Sequence, residues 1–365
     1  MSGQRIVALL GRPDKPTDAV EEYCRYLGQA LERHGWKLSV ERVRWDENGW
    51  GSAHRALRRH AKRWRETWVL VQYTALAWSK RGLPLRFPQI VKILKSAGAR
   101  VGAVFHDVEP FYGNRVIDRL RRQAQLLVMR EALRTADVGI FTVPLGKLSW
   151  IKPHSGNAVF VPVGANFPTA SDAVSRNGIV RDGKLGVAVF GITGGEHRRK
   201  EVDEIVEAVR FAAARVKDLR LIVLGRNSKD SEAELRKGLA DTSVELHVLG
   251  VVPSEDVVRS LANSDVLLFA RGHISTRRGS AIAGIACGLP VIAFEGPETA
   301  PPITEAGVAF YSPQRKGNLG EVLLHVLQDE HYRASLAQKS WVAQQQYFSW
   351  TAIAKKYAEF LNKEE

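Results

Sequence analysis

Cysteine is nearly absent from this chain: Cys24 and Cys287 are the only two among 365 residues. Two thiols so far apart in sequence form neither a metal-ligand nor a redox spacing. Long apolar runs are missing too. None reaches the roughly 18 residues that a membrane-spanning helix needs. The first run, Ile6–Leu10, is too short for a signal-peptide core and reads as a buried strand. Short repeats and low-complexity tracts are also lacking. These absences point to a reduced, cytoplasmic, globular protein. One further absence is local: between Arg271 and Phe294 there is no Asp or Glu.

What is present divides unevenly. Apolar residues make up 45% and charged residues 25%, enough to build a sizeable core. A chain of 365 residues exceeds the usual single-domain range, so two domains are expected. The net charge is +14, and residues 1–170 carry all of it, with 28 Lys and Arg against 14 Asp and Glu. Seven of the nine Trp lie there as well. Such a half attracts an anionic partner: a membrane surface, a phosphorylated substrate or nucleic acid.

The second half reads as continuously apolar strands alternating with helices. KLGVAVFGI, LRLIVLG, VELHVLGVV, DVLLFA and LPVIAFE are the strands, and VDEIVEAVRFAAARV, AELRKGLA, PSEDVVRSLANS and GSAIAGIACG the helices. That pattern predicts a parallel sheet covered on both faces. The first half repeats it through RIVALLG, KLSVERV, TWVLVQYTA, RVGAVFHD, ADVGIFTV and NAVFVPVG. The expected organisation is a basic Rossmann-like domain at 1–168, a polar linker at 169–183, a second Rossmann-like domain at 184–340 and a helical segment at 341–365. Ligands of open parallel sheets bind at the carboxyl ends of the strands.

Several ordered pieces of the second half together resemble the GT-B glycosyltransferases of family four, the "group 1" transferases. They are FGITGGEHRRK, LRLIVLG, VLGVVPSEDVVRSLANSDVLLFARG, ACGLPVIAFEG and QDEHYRASLAQKS, which span about 160 residues. The resemblance implies an α/β chain of the GT-B type, with two Rossmann-like domains facing across a cleft and the last helix crossing back to the N-terminal domain. It implies transfer of a sugar from a nucleotide-diphosphate sugar to a glycan or lipid-linked acceptor. It also implies retained anomeric configuration, with no metal and no cofactor beyond the donor.

A diphosphate needs backbone N–H groups from a Gly turn at a helix start, plus cations. Gly191, Thr193, Gly194 and Gly195 supply the turn, and Arg198, Arg199 and Lys200 the charge on the leaving group. With ACGLP as anchor, the two glutamates of the family fall on Ser275 and Ala283, so both carboxylates are missing. The loop offers Ser275, Arg277, Arg278, Gly279 and Ser280 instead, with Ser275 expected in the catalytic role and the others on the diphosphate. His106 matches a family histidine that contacts the donor sugar. Asp18, Asp107 and Tyr112, with Glu109 and Asn114 nearby, are expected on the acceptor side, although Asp18 reads equally well as a helix N-cap.

Two basic helices, SAHRALRRHAKRWRETW and NRVIDRLRRQAQLLVMREALRTAD, suit an anionic membrane surface or a lipid-diphosphate acceptor. An inward-facing stripe with a solvated outer face is the alternative. No nucleic-acid-binding module is recognisable. The alternative function is a non-catalytic sugar-nucleotide-binding or scaffold protein partnering another transferase; a GT-B epimerase is a third.

Overall fold

The computed structural model describes residues 4–151, 156–167, 183–312 and 317–363. The linker expected at 169–183 lies outside them except for Gly183. The chain divides into two compact units, Met1–Pro162 with Trp350–Glu365, and Val163–Ser349.

In the first unit, β1 (Gln4–Leu10), β2 (Trp36–Arg42), β3 (Trp68–Tyr73), β4 (Arg100–Phe105), β5 (Val138–Phe141) and β6 (Ala158–Phe160) form one parallel sheet, in the order β2-β1-β3-β4-β5-β6. The runs read as strands are apolar because helices cover both faces. On one face α2 (Trp45–Ala61), α3 (Phe87–Ser96) and α4 (Val116–Thr135) share a core with the sheet through Leu57, Ile90, Leu94, Val128 and Met129. α1 (Ala19–Leu31) packs against the terminal helix α11 (Trp350–Leu361), where Tyr23 and Tyr357 join hydroxyls at 3.0 Å and Tyr26 stacks on Trp350.

The second unit is a parallel sheet of β7 (Leu185–Phe190), β8 (Leu219–Leu224), β9 (Glu245–Gly250), β10 (Val266–His273), β11 (Val291–Phe294) and β12 (Val308–Tyr311), in the order β12-β11-β10-β7-β8-β9. Its helices are α5 (Arg198–Ala213), α6 (Glu232–Leu239), α7 (Ser254–Ala262), α8 (Gly279–Ala286), α9 (Leu319–Gln328) and α10 (Glu330–Ala343). The edge strand β12 escapes the sequence pattern because it has only four residues, half of them partly exposed. In each sheet the strand order reverses next to the first strand, between β1 and β3 and between β7 and β10. Those two places are where an open α/β sheet leaves a crevice.

Two expectations from the sequence are altered. The C-terminal stretch is not one helix: α10 ends in the wide turn Gln344–Phe348, and extended Ser349 precedes α11. The apolar stripe of α4 does not face the sheet. Val128 enters the core, but Val116, Ile117, Leu120 and Leu127 are exposed. The buried face instead holds Asp118, Gln125, Met129 and Ala132, because Asp118 and Gln125 tie neighbouring loops to the helix.

Candidate functional site

In the second unit, four loops meet at the carboxyl ends of β7, β8, β10 and β11. The chain leaves β7 through Gly191, whose φ of +75° is a left-handed conformation that suits glycine. The guanidinium of Arg271, at the end of β10, lies so close that a Cβ on Gly191 would come within 3.1 Å of it. Arg271 also donates from Nε to Thr193 Oγ1 at 3.4 Å. Asn227, after β8, donates to the Ile192 carbonyl at 2.8 Å and packs on Gly194, fixing the turn from the other side. The helix α5 starts just beyond.

The cations expected on this turn are arranged differently. Arg198 pairs with Glu234 on α6 at 3.1 Å, and Arg199 lines a groove between α5 and α6 with Asp203 and Lys237. Lys200 is exposed and lies 3.7 Å from Glu204. The physical reason is helical: 198–200 already belong to α5, where consecutive residues turn about 100° apart, so a run of three cannot converge on one ligand. The cation that lies against the turn is Arg271, with Arg226 close enough to feel its charge. Arg278 interacts with the acids beneath.

Two carboxylates serve this region from outside the acid-free stretch. Glu201, in the first turn of α5, is buried and accepts the Thr193 backbone N–H at 2.9 Å. Thr193 was expected to offer that N–H to a diphosphate; here a carboxylate of the chain takes it. Burial raises the Glu201 carboxyl above its ordinary value, although Thr193, Arg271 and Arg278 pull the other way. Its Oε1 is buried without a hydrogen-bond partner among the described residues.

Glu298, from the loop after β11, forms a two-point pair with Arg277, at 2.7 Å to Nε and 2.9 Å to Nη2. Burial alone would raise the Glu298 carboxyl, but Arg277 and then Ser275 and Arg278 outweigh it and hold the group below the usual range. Arg277, expected on the diphosphate, is therefore already neutralised. Ser275, expected in the catalytic role, is fully buried, and its Oγ has no hydrogen-bond partner among the described residues. Thr299 donates to the Ile274 carbonyl at 2.7 Å. Gly279 and Ser280 open α8 at the loop's surface, and Ala283 is buried.

The first unit has its own cluster at the β1/β3 reversal. A cavity of about 260 Å³ is lined by Gly11, Arg12, Asp18, Gln72, Thr74 and Asp107 among others. Gly11 is required there, since a Cβ would overlap the Ala77 carbonyl.

Asp18 is the N-cap of α1, accepting from Val20 N at 3.1 Å and Glu21 N at 3.2 Å, and its other oxygen lies 2.6 Å from Arg42. Its carboxylate caps α1, the second reading that the sequence allows, and also lies on the cavity wall. Asp107 accepts the Ala75 N–H at 2.7 Å and remains on the cavity wall. Tyr112 is not on that wall; it is exposed, with Arg122 over its ring at 5.5 Å. Glu109 holds Ser149.

His106 is partly buried, edge-on to Tyr23 at 5.1 Å, and its Nε2 lies 2.9 Å from Gln72 Oε1. Burial pushes the imidazole pKa down to about 4, so it is neutral at physiological pH. The Gln72 amide is oriented by its own N–H bond to the Leu70 carbonyl at 3.2 Å. Gln72 therefore offers oxygen to the ring, which places the proton on Nε2 and leaves Nδ1 an acceptor.

Residues 187–329 match the family model for "Glycosyl transferases group 1". That span contains every loop of the second-unit cluster. The matched span lies within the second unit.

The GDP-mannose-dependent monoacylated alpha-(1-6)-phosphatidylinositol monomannoside mannosyltransferase of Corynebacterium glutamicum is 27% identical over 177 residues, 46% of this chain. The match spans only 45% of that relative's own length. Solved structures match over nearly the full chain. HepE of Anabaena, solved with UDP and glucose, superposes with a TM-score of 0.67 at 15% identity, covering 98% of this chain and 99% of its own. Sucrose-phosphate synthase of Thermosynechococcus elongatus gives 0.67 at 18% identity, covering 98% of both chains. A glycosyltransferase of Rickettsia africae gives 0.68 at 13%, covering 100% of both. At such identities the likeness establishes the fold, and the fold is GT-B.

Arg271, Glu201, Asn227 and Glu298 are the residues that sequence reasoning did not assign. Arg271 had a legible signal, a cation at the end of a central strand. Glu298 lies four residues beyond the stretch searched for acids.

Proposed function

We propose that the chain transfers a sugar from a nucleotide-diphosphate sugar, bound at the strand ends of the second unit, to a glycan or lipid-linked acceptor bound by the first. The observation that carries this reading is the Gly191–Gly195 turn at the strand-order reversal, with Arg271 against it. The Gly194 and Gly195 N–H groups and a partly desolvated guanidinium there suit a leaving diphosphate, whereas the N–H groups of Gly191, Ile192 and Thr193 are already bonded within the chain. Arg278 and the surface of α8 at Gly279 and Ser280 add to the same anion-favouring end. Neutral His106, with Nδ1 free to accept, suits a hydrogen bond from a sugar hydroxyl rather than proton donation.

Retention of anomeric configuration and independence of metal follow from the family resemblance. The expectation is product of unchanged anomeric configuration by NMR, and unchanged rate in a chelator. A thermal-shift series of UDP-, GDP-, ADP- and TDP-sugars should reveal one stabilising donor class, and transfer or slow hydrolysis of that donor should follow. Arg271→Ala should weaken nucleotide diphosphate binding by about 2 kcal/mol and leave nucleoside binding nearly unchanged. A melting temperature indifferent to every donor would remove the reading. Binding without turnover would mark a non-catalytic relative.

A peripheral position on the cytoplasmic face of an anionic membrane belongs to the same proposal. Val116, Leu120 and Leu127 of α4 are 75%, 59% and 65% exposed and lie within one narrow arc of the helix. Arg119, Arg130 and Arg134 flank that arc. Phe111 and Tyr112 extend the apolar surface just before α4, each under an arginine, Arg121 and Arg122. An apolar stripe edged with arginine, in the half of the chain that holds the whole positive excess, complements an anionic bilayer.

A further inference from the structure

The other basic helix of the first unit has a separate feature. From Asn48 to Arg65 the chain has six Lys or Arg, two His and no acid. His54, Arg58 and Lys62 follow one another at steps of four, so they share one helical face. Like charges at that spacing destabilise a helix slightly when nothing neutralises them. Arg58 and Lys62 have no ion-pair partner among the described residues, and both are exposed.

This face does not look onto open solvent alone. It forms one wall of a groove of about 520 Å³, whose other wall is Gln89, Lys92, Ile93 and Ser96 of α3. Both walls carry cationic donors, Arg58, Lys62 and Lys92, and the Gln89 Oε1 acceptor is turned to Arg86 at 3.3 Å. Among the described residues the acid engaged there is Glu131 of α4, which pairs with Lys92 at 2.6 Å and also with Arg134. Arg86, at the start of α3, adds another positive charge near His54. The His54 Nε2 is buried and has no hydrogen-bond partner among the described residues. Buried polar nitrogens are nearly always satisfied, and an orphan beside a cationic groove marks a place for an acceptor.

We infer that the groove between α2 and α3 is a second anion site, which takes a phosphate monoester or diester through His54, Arg58 and Lys62. It lies on the outer helical layer of the first unit and is distinct from the strand-end clusters. Its ligand carries phosphate oxygens: acceptors that match the groove's donors and a charge that relieves the Arg58–Lys62 repulsion. Such a group comes either from an anionic lipid headgroup or from a free phosphorylated molecule. Burial, and then Arg86 and Arg58, hold the His54 imidazole below its ordinary value. A bound anion favours the protonated ring, so His54 should gain protons on binding; Arg58, Lys62, Arg86 and Lys92 are the charged groups around it, and Glu131 sits beyond Lys92.

The test follows the His54 ring by NMR, its signal assigned by loss in His54→Asn, in the full chain. One arm adds inorganic phosphate. The other adds vesicles of phosphatidylcholine with or without phosphatidylglycerol. A His54 shift with both probes identifies a general phosphate site, and a shift with the anionic vesicles alone a headgroup site. Either supports the inference. Arg58→Gln with Lys62→Gln, both exposed and so tolerated by the fold, should weaken the response about tenfold. The response should persist in Arg271→Ala, which separates it from the donor reading, and in Leu120→Asp, which separates it from the α4 face. An unmoved His54 signal with both probes, a double variant that responds like the parent, or a response to an RNA oligonucleotide alone would overturn it.

Discussion

A neutral imidazole with one fixed tautomer is the product of the His106 environment. The folded-state pKa near 4 lies below the ordinary 6.5. Between those values the unfolded chain binds a proton that folded His106 refuses, so stability is lost as pH falls through this window. The loss is at most about 3 kcal/mol. Denaturation midpoints of the parent should therefore drop more steeply on acidification than those of His106→Asn; parallel curves would show that the ring is not held neutral.

Glu298 gives a second residue-scale expectation. Glu298→Ala leaves Arg277 largely buried without its carboxylate and should cost about 2 kcal/mol. Arg277→Ala with Glu298→Ala should recover part of that, measured as a double-mutant cycle by denaturant unfolding. Additive losses would mean that the pair is not coupled. The role of Glu298 was not legible in the stretch from Arg271 to Phe294, since the acid arrives from the loop after the next strand.

At the scale of elements, local pattern carried much of the information. Continuous apolar runs such as LRLIVLG and RIVALLG are parallel strands because helices cover both faces. The basic run at 198–200 was placed correctly at a helix start, but its direction was not readable. Whether Arg198 faces the turn or Glu234 depends on where α6 packs. The stripe on α4 was likewise visible as a period, and its outward direction was set by Asp118 and Gln125, which the loops hold inward. Leu120→Asp with Leu127→Asp should leave the melting temperature nearly unchanged and reduce flotation with anionic vesicles about tenfold. Unchanged flotation would discard the α4 face, and a fall in oligomer size would assign it to a second copy.

The whole molecule ties its ends together in the first unit. Ile353, Ala354 and Tyr357 of α11 are fully buried there, Trp68 donates to the Leu361 carbonyl at 3.3 Å, and Trp36 reaches Asn362 at 3.1 Å. Removing residues 350–365 uncovers several large apolar side chains, each worth about 2 kcal/mol. That total rivals the stability of a whole domain. Limited proteolysis of the truncated chain should therefore degrade the first unit and spare a fragment near 183–349 that retains the donor-induced thermal shift. A first unit as protected as in the parent would show that α11 is dispensable.

The sequence by itself determined the alternation of strands and helices, the glycine turn after β7, the charge asymmetry and the lack of any Asp or Glu between Arg271 and Phe294. Each of these is a local property, written in residues a few positions apart. Tertiary structure alone decided which cation meets the turn, which carboxylates approach the loop and which way the α4 stripe points. Arg271 reaches Gly191 because β10 pairs beside β7, and Glu298 reaches Arg277 because β11 pairs beside β10. Strand order brings together residues distant along the chain, and side-chain pairing follows that order rather than the periodicity of any one segment.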